Sequence, residues 1–387
     1  MTPMAVDLDR VAAAREVAWA IGGRFDRKYW LQCMREGRFT DEMWEAMGEA
    51  GLLALSVPED VGGAGGGMTE LVAVMETLSG MGVPPFFLVI TGLSRVPILK
   101  YGTQEQVERY VKPTITGEKK LCFGITEPEA GTNTFKISTL ATPTDNGYRL
   151  NGRKVFVTGA NEADYMLVVT RTTRASQVSD RREGISLFVV DLKSEGIELQ
   201  ELNIQLNWPD KQFLVFFDDV ELPEGSLVGE AGLGARYLFD ALNPERLLVA
   251  ALSIGLGDYA LARAVNYARD RAPFGKPIGS YQGIQHPLAR SKVNLEAARL
   301  MTYDAAAKFD AGEKAGAQSN MAKLLASEAG VAAIDVAIQT HGGNGFDSDY
   351  DILPLLPGAR LLEVAPISNE MVLNYIGEHV LGLPKSY

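Results

Sequence analysis

Residues 123–133 read FGITEPEAGTN and stand where the sequence changes from helix-like to strand-like patterning. Thr126 and Thr132 supply hydroxyl groups, and Pro128 indicates a turn. Gly131 lets a backbone approach a ligand closely because it has no Cβ atom. Taken alone, the stretch fits an ordinary interdomain loop as well as a ligand-binding loop. The fold class is therefore inferred from the spacing of apolar residues before and after this stretch.

Before this stretch, residues 1–120 have apolar side chains at three- and four-residue spacing and few β-branched runs, which predicts helices. After it, residues 121–234 follow a period of two in short β-type runs separated by turn residues. These runs are 154–158, 165–170, 185–192 and 213–217. Because no helical pattern interrupts them, they indicate an antiparallel barrel or sandwich.

Residues 235–387 return to long helical patterns rich in Ala and Leu. The patterns cover 246–269, 284–311 and 318–340, with a further helix expected near 368–381. The predicted fold class is α+β multidomain, with an N-terminal α-helical domain (1–120), a middle antiparallel β-barrel domain (121–234) and a C-terminal four-helix bundle (235–387). Helices this long often pack against another subunit, so a homo-oligomer, a dimer or tetramer, is expected.

The net charge of −12 argues against nucleic acid or an anionic membrane as the main partner. The two cysteines, Cys33 and Cys122, are far apart, which excludes a disulfide scaffold and fits a reducing compartment. The histidines are scattered, so no metal site is predicted. The polar N-terminus has no targeting pattern, and a cytoplasmic protein without membrane contact is expected.

The segment 255–260, GLGDYA, matches a dinucleotide-binding pattern but lies inside a helical segment. A dinucleotide fold needs a strand, a turn and a helix in that order. The glycines Gly255 and Gly257 are therefore interpreted as sites of close helix–helix packing.

Six segments, in order along the chain, resemble motifs of the acyl-CoA dehydrogenase family, and the resemblance runs from about residue 35 to the C-terminus. They are VPEDVGG (57–63), YGTQEQ (101–106), TEPEAGT (126–132), NGRKVFVT (151–158), RAPFGKPI (271–278) and QTHGGNGF (339–346). The resemblance implies FAD as cofactor, an acyl-CoA substrate and an electron-transfer flavoprotein as redox partner. It also implies the three-domain fold of the family.

The resemblance also implies roles for individual residues. The cofactor-binding residues would be Phe123, Ile125, Thr126, Phe156 and Thr158 around the flavin ring, Gly131 and Thr132 near the phosphates, and Arg271, Phe274, Gln282, Gln339, Gly342, Gly343, Ser368 and Glu370 elsewhere on FAD. Of these, Arg271, Phe274 and Gln282, with the 339–343 turn, would reach FAD across a subunit interface. Thr132, Asn243 and Arg246 would contact the substrate. Arg271 could instead be a cation that offsets a helix dipole.

The catalytic base is expected at Glu245. Most family members carry a base near the C-terminus, and that position is occupied here by Pro366. A minority place it on an earlier helix, in a segment like NPER (243–246). The alternative interpretation of Glu245 is a first-turn glutamate that follows Asn243 as a cap. Glu363 could be the base only if the alignment shifted by three residues.

Pro366 keeps three functions open, because proline has no N–H to stabilise the charge that develops on the thioester oxygen. One missing donor could slow catalysis about 100-fold. The first function is dehydrogenation of an acyl-CoA. The second is another flavin reaction on this scaffold, by an oxidase, a monooxygenase or an enoyl-CoA reductase. The third is a catalytically weak subunit that shares its FAD site within a hetero-oligomer.

Overall fold

The computed structural model describes residues 7–386 and begins with helices, as the spacing of apolar residues predicts. Asp7 accepts hydrogen bonds from two backbone N–H groups at the start of the first helix, and Gly37 ends the second in a left-handed conformation, with φ of 65°. The helices of this part are α1 (Leu8–Arg24), α2 (Arg27–Glu36), α3 (Asp41–Glu49), α4 (Met68–Gly80), α5 (Phe86–Tyr101), α6 (Gln104–Gln106) and α7 (Lys112–Ile115).

The middle of the chain forms one sheet of eight strands. The strands are β1 (Leu121–Gly124), β2 (Leu140–Thr144), β3 (Gly147–Thr158), β4 (Tyr165–Arg171), β5 (Ile185–Asp191), β6 (Ile197–Glu201), β7 (Gln212–Pro223) and β8 (Leu227–Val228). Their order is β6-β7-β3-β2-β4-β5-β8, with β1 paired to β4. The predicted central β region is confirmed.

The pairing of this sheet departs from the antiparallel expectation at β4. Strands β1 and β2 both run parallel to β4, whereas the other strand pairs are antiparallel. Parallel neighbours need a long connection, and a long segment does separate β1 from β4 in the chain. A period of two shows which residues form strands, but it does not show the direction of the neighbouring strand.

The C-terminal part consists of α8 (Gly234–Asp270), α9 (Gln282–Asp310), α10 (Gly316–His341), α11 (Leu356–Val364) and α12 (Asn369–Tyr375). Helix α8 packs against α9 and α10 and also against α4 and α5 of the N-terminal part. The fourth helix predicted near 368–381 is the short α12, continued by a π-helical turn at Ile376–Val380. The long helices predicted from 246, 284 and 318 correspond to α8, α9 and α10.

The glycines of α8 mark its closest helix contacts. A Cβ atom at Gly255 would lie 2.5 Å from the carbonyl oxygen of Glu76 in α4, and one at Gly257 would lie 3.2 Å from the Cα atom of Gly330 in α10. Their interpretation as packing glycines is confirmed. Helix α8 is long and apolar enough by composition to cross a membrane, but 72% of its most apolar window is buried within the protein. This burial is typical of a core helix.

Candidate functional site

The residues of the loop after β1 lie beside strand β3. The backbone N–H of Val155 in β3 donates to the carbonyl oxygen of Thr126 at 2.9 Å. The carbonyl oxygen of Ile125 accepts a hydrogen bond from the Nζ atom of Lys154 at 3.0 Å. Phe123, at the end of β1, is half-buried. The structure therefore brings the loop after β1 against the end of β3.

Phe156 presents its ring to solvent from a bulge in β3. The register between β3 and β7 shifts between Lys154 and Val157, and Phe156 has φ of 57°. Its side chain is 59% exposed, although its neighbours Val157 and Thr158 are buried. Left-handed backbone at an aromatic residue is strained, and such strain is common at binding sites. The bulge thus turns a flat apolar ring outward, where a planar ligand could stack on it.

A buried ion pair fixes the backbone between the loop and the bulge. The Lys154 ammonium lies 2.8 Å from Oε1 of Glu127, and both side chains are almost fully buried. The Glu127 carboxylate also accepts backbone hydrogen bonds from Ser138 and Thr139. Burial alone would raise the pKa of Glu127, but the charge of Lys154 and these hydrogen bonds lower it to about 2. Burial lowers the pKa of Lys154 to about 8.

The remaining predicted residues on the sheet side differ in exposure. Thr158 is buried, and its hydroxyl group contacts the side-chain amide of Gln212. Gly131 and Thr132 lie exposed in the loop after β1, and a Cβ atom at Gly131 would meet no other atom within 4 Å. Space is therefore open around the loop that the resemblance assigns to the phosphates.

A second group of predicted residues lies at one end of the helical bundle. Arg271, Phe274 and Gln282 lie exposed at and after the end of α8, and the side chain of Phe274 is 81% exposed. Gln339, Gly342 and Gly343 lie exposed at the end of α10.

Aromatic contacts join these two helix ends. The rings of Tyr267 in α8 and His341 in α10 stack with centroids 4.4 Å apart. Asn344 donates to the Tyr267 hydroxyl at 3.1 Å. The 271–282 segment and the 339–343 turn are thus presented together. Within residues 7–386, no hydrogen bond or ion pair joins either of them to the sheet-side group.

The third group lies on α8 where Pro244 interrupts the backbone hydrogen bonding. Glu245 is only 7% exposed, and within residues 7–386 its carboxylate accepts no hydrogen bond. Burial raises the pKa of Glu245 to about 8, and the charge of Arg246 opposes this shift only in part. The alternative interpretation, a first-turn glutamate, is wrong because α8 begins at Gly234, eleven residues earlier.

Arg246 is held by one neighbour and has an unused donor. Its Nη1 atom donates to Oδ1 of Asn243 at 3.1 Å. Its Nε atom is buried and has no hydrogen-bond partner among the described residues. Burial lowers the pKa of Arg246, whereas Glu245 and Tyr375 raise it. An unsatisfied buried donor is costly, so a polar group of a ligand is the natural partner for Nε.

The segment that contains Pro366 is fixed by Lys323 of α10. The Lys323 ammonium donates to the carbonyl oxygens of Glu363 and Ile367 and to Oδ1 of Asn369. Burial lowers the pKa of Lys323 to about 8; the charge of Glu363 opposes this shift, and that of Arg246 adds to it.

Two residues predicted to bind FAD follow Pro366 in this segment. The Ser368 side chain caps α12 by accepting a hydrogen bond from the N–H of Met371, and Glu370 lies exposed in the first turn of that helix. Glu363 is half-buried and pairs with Arg360.

Sequence reasoning missed several polar residues that position these groups: Glu127, Lys154, Gln212, Lys323 and Asn369. A signal was present for Lys323, which falls on the same face of α10 as the buried residues Ser319, Ala326 and Gly330. A lysine on the buried face of a helix needs acceptors for its charge, which marks it as a site candidate. For the others, the partner lies on a distant segment.

The residues present fit a flavin nucleotide. Phe156 offers an exposed ring for a planar heterocycle. The exposed Arg271 offers a guanidinium suited to a pyrophosphate. Cβ atoms at Gly342 and Gly343 would meet nothing within 4 Å, so a ligand can approach that turn closely.

Comparison with known proteins agrees with this geometry. Profiles of the N-terminal, middle and C-terminal domains of acyl-CoA dehydrogenases match residues 15–118, 122–219 and 232–381. The chain is 39% identical over 383 residues to acyl-CoA dehydrogenase fadE12 of Mycobacterium bovis, covering 98% of this chain and 97% of that protein. It is 35% identical over 331 residues to CarC, a subunit of the caffeyl-CoA reductase-Etf complex of Acetobacterium woodii, covering 85% and 86%.

Solved structures extend the comparison. Butyryl-CoA dehydrogenase from Megasphaera elsdenii superimposes with a TM-score of 0.91 at 29% identity, over 98% of this chain and all of that one. The FAD complex of PigA superimposes with a TM-score of 0.88 at 27% identity, over 97% of each chain. With its three matched domains, its fold and its flavin-compatible site, the chain belongs to the acyl-CoA dehydrogenase family and is an FAD-dependent enzyme.

Proposed function

We propose that this enzyme removes the Cα and Cβ hydrogens of an acyl-CoA thioester and passes the electrons to an electron-transfer flavoprotein. The observation that carries the proposal is the carboxyl group of Glu245, which is buried, accepts no hydrogen bond within residues 7–386 and has a pKa raised to about 8. A partner flavoprotein is supported by the likeness to CarC, whose name places it in a complex with Etf.

Glu245 would take the Cα proton onto a carboxylate oxygen. The same burial that raises its pKa makes the ionised form a stronger base than a carboxylate in water. A general base works best when its pKa lies near the working pH, and a pKa of about 8 meets that condition. The absence of hydrogen bonds leaves both carboxylate oxygens available to the substrate.

FAD, when bound, supplies the acceptor for the hydride that leaves Cβ. Phe156 would support the flavin ring from one face, and the loop from Ile125 to Thr126 would border it. The buried pair Lys154–Glu127 would hold that loop rigid while the ligand binds. Rigid positioning of reacting groups is one of the larger contributions that a protein makes to such a reaction.

Arg246 would bind the polar part of the substrate. Its Nε donor is buried without a partner among the described residues, and Asn243 fixes the guanidinium through Nη1. A CoA thioester is rich in carbonyl and phosphate oxygens that could accept this hydrogen bond. Substrate binding would thereby satisfy a donor that is otherwise buried and unpaired.

A second copy of the chain would complete the cofactor site. The 271–282 segment and the 339–343 turn are exposed at the same end of the bundle and make no hydrogen bond or ion pair with the sheet-side group within residues 7–386. Phe274 is 81% exposed, which is unusual for phenylalanine on a monomer surface. These residues would therefore reach the FAD of a neighbouring subunit in a homo-oligomer.

The test is an anaerobic titration of the purified enzyme with straight, branched and cyclic acyl-CoA thioesters, followed by the visible absorbance of the flavin. Bleaching by one class would support dehydrogenation and identify the acyl group. A Glu245→Gln variant should retain the flavin spectrum and lose bleaching at least about 100-fold in rate. Full bleaching by that variant would remove Glu245 as the base.

A second candidate is the reverse reaction, reduction of an enoyl-CoA. It is supported by the reductase name of CarC. The N–H that Pro366 lacks would be missing in both directions alike, because they share one transition state. The same Glu245 would then return a proton to Cα. Faster reoxidation of reduced flavin by an enoyl-CoA than bleaching by the matching acyl-CoA would favour this direction. Failure of both reactions would favour a catalytically weak subunit of a hetero-oligomer.

A further inference from the structure

One face of helix α8 leads from the protein surface toward the buried Glu245. It carries Arg236, Phe239, Asn243 and Arg246, which are spaced by three, four and three residues within the helix. Arg236 and Phe239 are exposed, whereas Asn243 and Arg246 are half-buried. The face therefore becomes less accessible to solvent as it approaches the proposed base.

Phe239 presents its ring to solvent although its neighbours in the helix are buried. Its side chain is 54% exposed, whereas Tyr237, Leu238 and Ala241 are at most 5% exposed. An exposed phenylalanine ring is unfavourable in free energy because its apolar faces contact water. It also offers a flat surface on which the base of a nucleotide can stack.

Arg236, one turn before Phe239, has a guanidinium group that is available to a ligand. Asp240, four residues later, is the carboxylate with which an arginine at this position could pair. Asp240 instead accepts hydrogen bonds from Lys100 and Tyr101, and it attracts Arg236 only at longer range. Within residues 7–386, the Arg236 side chain forms no hydrogen bond or ion pair. An unpaired guanidinium is well suited to the phosphate oxygens of a nucleotide.

The length of α8 between these residues fits a substrate that is bound at both ends. Along the axis of a regular helix, Glu245 lies about 9 Å from Phe239 and about 14 Å from Arg236. In an acyl-CoA, the flexible pantetheine arm separates the thioester from the phosphates and the adenine, and it can span such a distance. A thioester held at Glu245 can therefore place its nucleotide beside Phe239 and Arg236.

FAD also contains an adenine nucleotide, but the position of this face favours CoA. The residues proposed to hold the adenosine and pyrophosphate of FAD lie in the 271–282 segment and the 339–343 turn. Arg271 stands about 48 Å from Phe239 along the helix, at its other end. The face that carries Phe239 is instead continuous with Arg246, whose buried Nε donor is proposed to bind the substrate.

We propose that Phe239 and Arg236 bind the nucleotide of the CoA thioester. The Phe239 ring stacks against the adenine, and the Arg236 guanidinium donates hydrogen bonds to a phosphate group. This rests on the proposed function, in which the substrate is an acyl-CoA and Glu245 marks its reacting end. Neither residue touches the reacting atoms, so both strengthen substrate binding and leave the chemical step unchanged.

The test compares an acyl-CoA with the acyl-pantetheine that carries the same acyl group and has no nucleotide. Bleaching of the flavin in the FAD-loaded enzyme gives kcat and KM for both compounds. In Phe239→Ala and in Arg236→Gln, KM for the acyl-CoA should rise about tenfold, while kcat should change less than about twofold. KM for the acyl-pantetheine should be the same in both variants as in the wild type.

Matched controls separate stacking and charge from a general effect of surface substitution. Trp19→Ala removes a ring that is 61% exposed, and Arg109→Gln removes an exposed cation, both on elements of the N-terminal part. Neither should change KM for the acyl-CoA. Phe239→Trp should restore a low KM because its ring can stack, whereas Phe239→Leu should not.

Isothermal titration of the FAD-loaded enzyme measures binding without turnover. The two ligands are CoA and adenosine 3′,5′-bisphosphate, a fragment of CoA that has no pantetheine arm. The Kd of both should rise about tenfold in Phe239→Ala and in Arg236→Gln, and the FAD content should stay at the wild-type level. Loss of FAD from these variants would assign the face to the cofactor and overturn the proposal.

The results distinguish failure of this proposal from failure of the proposed function. Wild-type KM and Kd values in both variants would overturn the proposal while bleaching by the acyl-CoA still supported dehydrogenation. An equal rise in KM for acyl-CoA and acyl-pantetheine would do the same, because the effect would not involve the nucleotide. If the wild type bound CoA but no thioester bleached its flavin, the proposed function would be rejected, and the Kd values would decide the roles of Phe239 and Arg236. Absence of CoA binding by the wild type would reject both.

Discussion

The Nζ atom of Lys323 lies 2.7 Å from the carbonyl oxygen of Ile367, so an ammonium buried on α10 holds the residue that follows Pro366. The same ammonium reaches the carbonyl oxygen of Glu363 at 3.1 Å and Oδ1 of Asn369 at 2.7 Å. Its three N–H donors are therefore all used. Lys323 cannot replace the donor that Pro366 lacks, and its role is to fix the backbone around it.

Replacement of Lys323 by Met should lower the free energy of unfolding by about 2–4 kcal/mol, because three acceptors would lose a charged donor. Urea denaturation monitored by far-UV circular dichroism would measure this. Lys314→Met, on the exposed turn before α10, is the matched control and should change stability by less than about 0.5 kcal/mol. Equal stability of the two variants would show that the buried ammonium contributes nothing to the segment.

The pH dependence of kcat/KM should follow the ionisation of the Glu245 carboxyl group. Its pKa is raised by burial to about 8, so kcat/KM should rise about tenfold per pH unit below that value and level off above it. The Glu245→Gln variant should lose most of the activity, and its remaining kcat/KM should not show this rise with pH. If kcat/KM of the Glu245→Gln variant still rose with pH with the same pKa, the pH dependence would belong to another group.

The free energy of unfolding should fall as the pH rises, whereas kcat/KM rises. The pKa of Glu245 is higher in the folded chain than in the unfolded chain, so the folded state binds more protons between the two values. The stabilising contribution of protonated Glu245 is complete below the unfolded pKa and is lost as the pH rises through about 8. Thermal unfolding from pH 5 to 9 should show the wild type losing stability relative to Glu245→Gln. A constant difference across that range would contradict the raised pKa.

Lys154→Met should destabilise the fold by about 3–5 kcal/mol, because it leaves the Glu127 carboxylate buried without its cation. The double variant Lys154→Met/Glu127→Gln should recover part of that loss, because glutamine is uncharged and its single carbonyl oxygen can still accept from either Ser138 or Thr139. Denaturant unfolding of both variants would measure the difference. Arg153→Met, which alters an exposed cation on the same strand, is the control and should have little effect. If the double variant were no more stable than Lys154→Met, the unpaired charge would not be the cause.

Phe156→Gly should raise the stability of the FAD-free protein and weaken its hold on FAD. Glycine adopts φ of 57° without the strain that phenylalanine carries, and the exposed ring gives up little buried area. The expected gain is up to about 1 kcal/mol, measured by thermal unfolding. Phe156→Ala keeps the strained backbone and should lose FAD affinity without the gain. Lower stability of Phe156→Gly would mean that the ring stabilises the free protein.

The order of domains could be predicted because apolar spacing is a local property. The change from a helical period to a period of two near Leu121, and back near Gly234, reflects which faces of each element are buried. Both changes lie within a residue or two of the start of β1 and the start of α8. The parallel pairing at β4 could not be predicted, because strand direction depends on chain segments far apart in sequence.

The candidate site likewise contains features that local motifs predict and features that depend on distant segments. Glu245 and Phe156 could be proposed from the motifs around them, whereas the left-handed backbone of Phe156 and the unpaired state of Glu245 could not. Burial raises a pKa only through the atoms that exclude water, and those come from several elements. Lys323 and Gln212 were not predicted as site residues for a related reason. Each has its partner on another segment, 44 and 54 residues away in sequence.

Helix α8 carries Glu245 in its first half and ends at Arg271, its C-cap residue. The two residues stand about 39 Å apart along one rod if the helix is regular, and every inserted residue would turn one end by about 100° relative to the other. A deletion or insertion within α8 would therefore misdirect either Glu245, the proposed base, or the segment proposed to reach a neighbouring subunit. Changes of length are therefore expected in the exposed loops around α8 rather than within the helix.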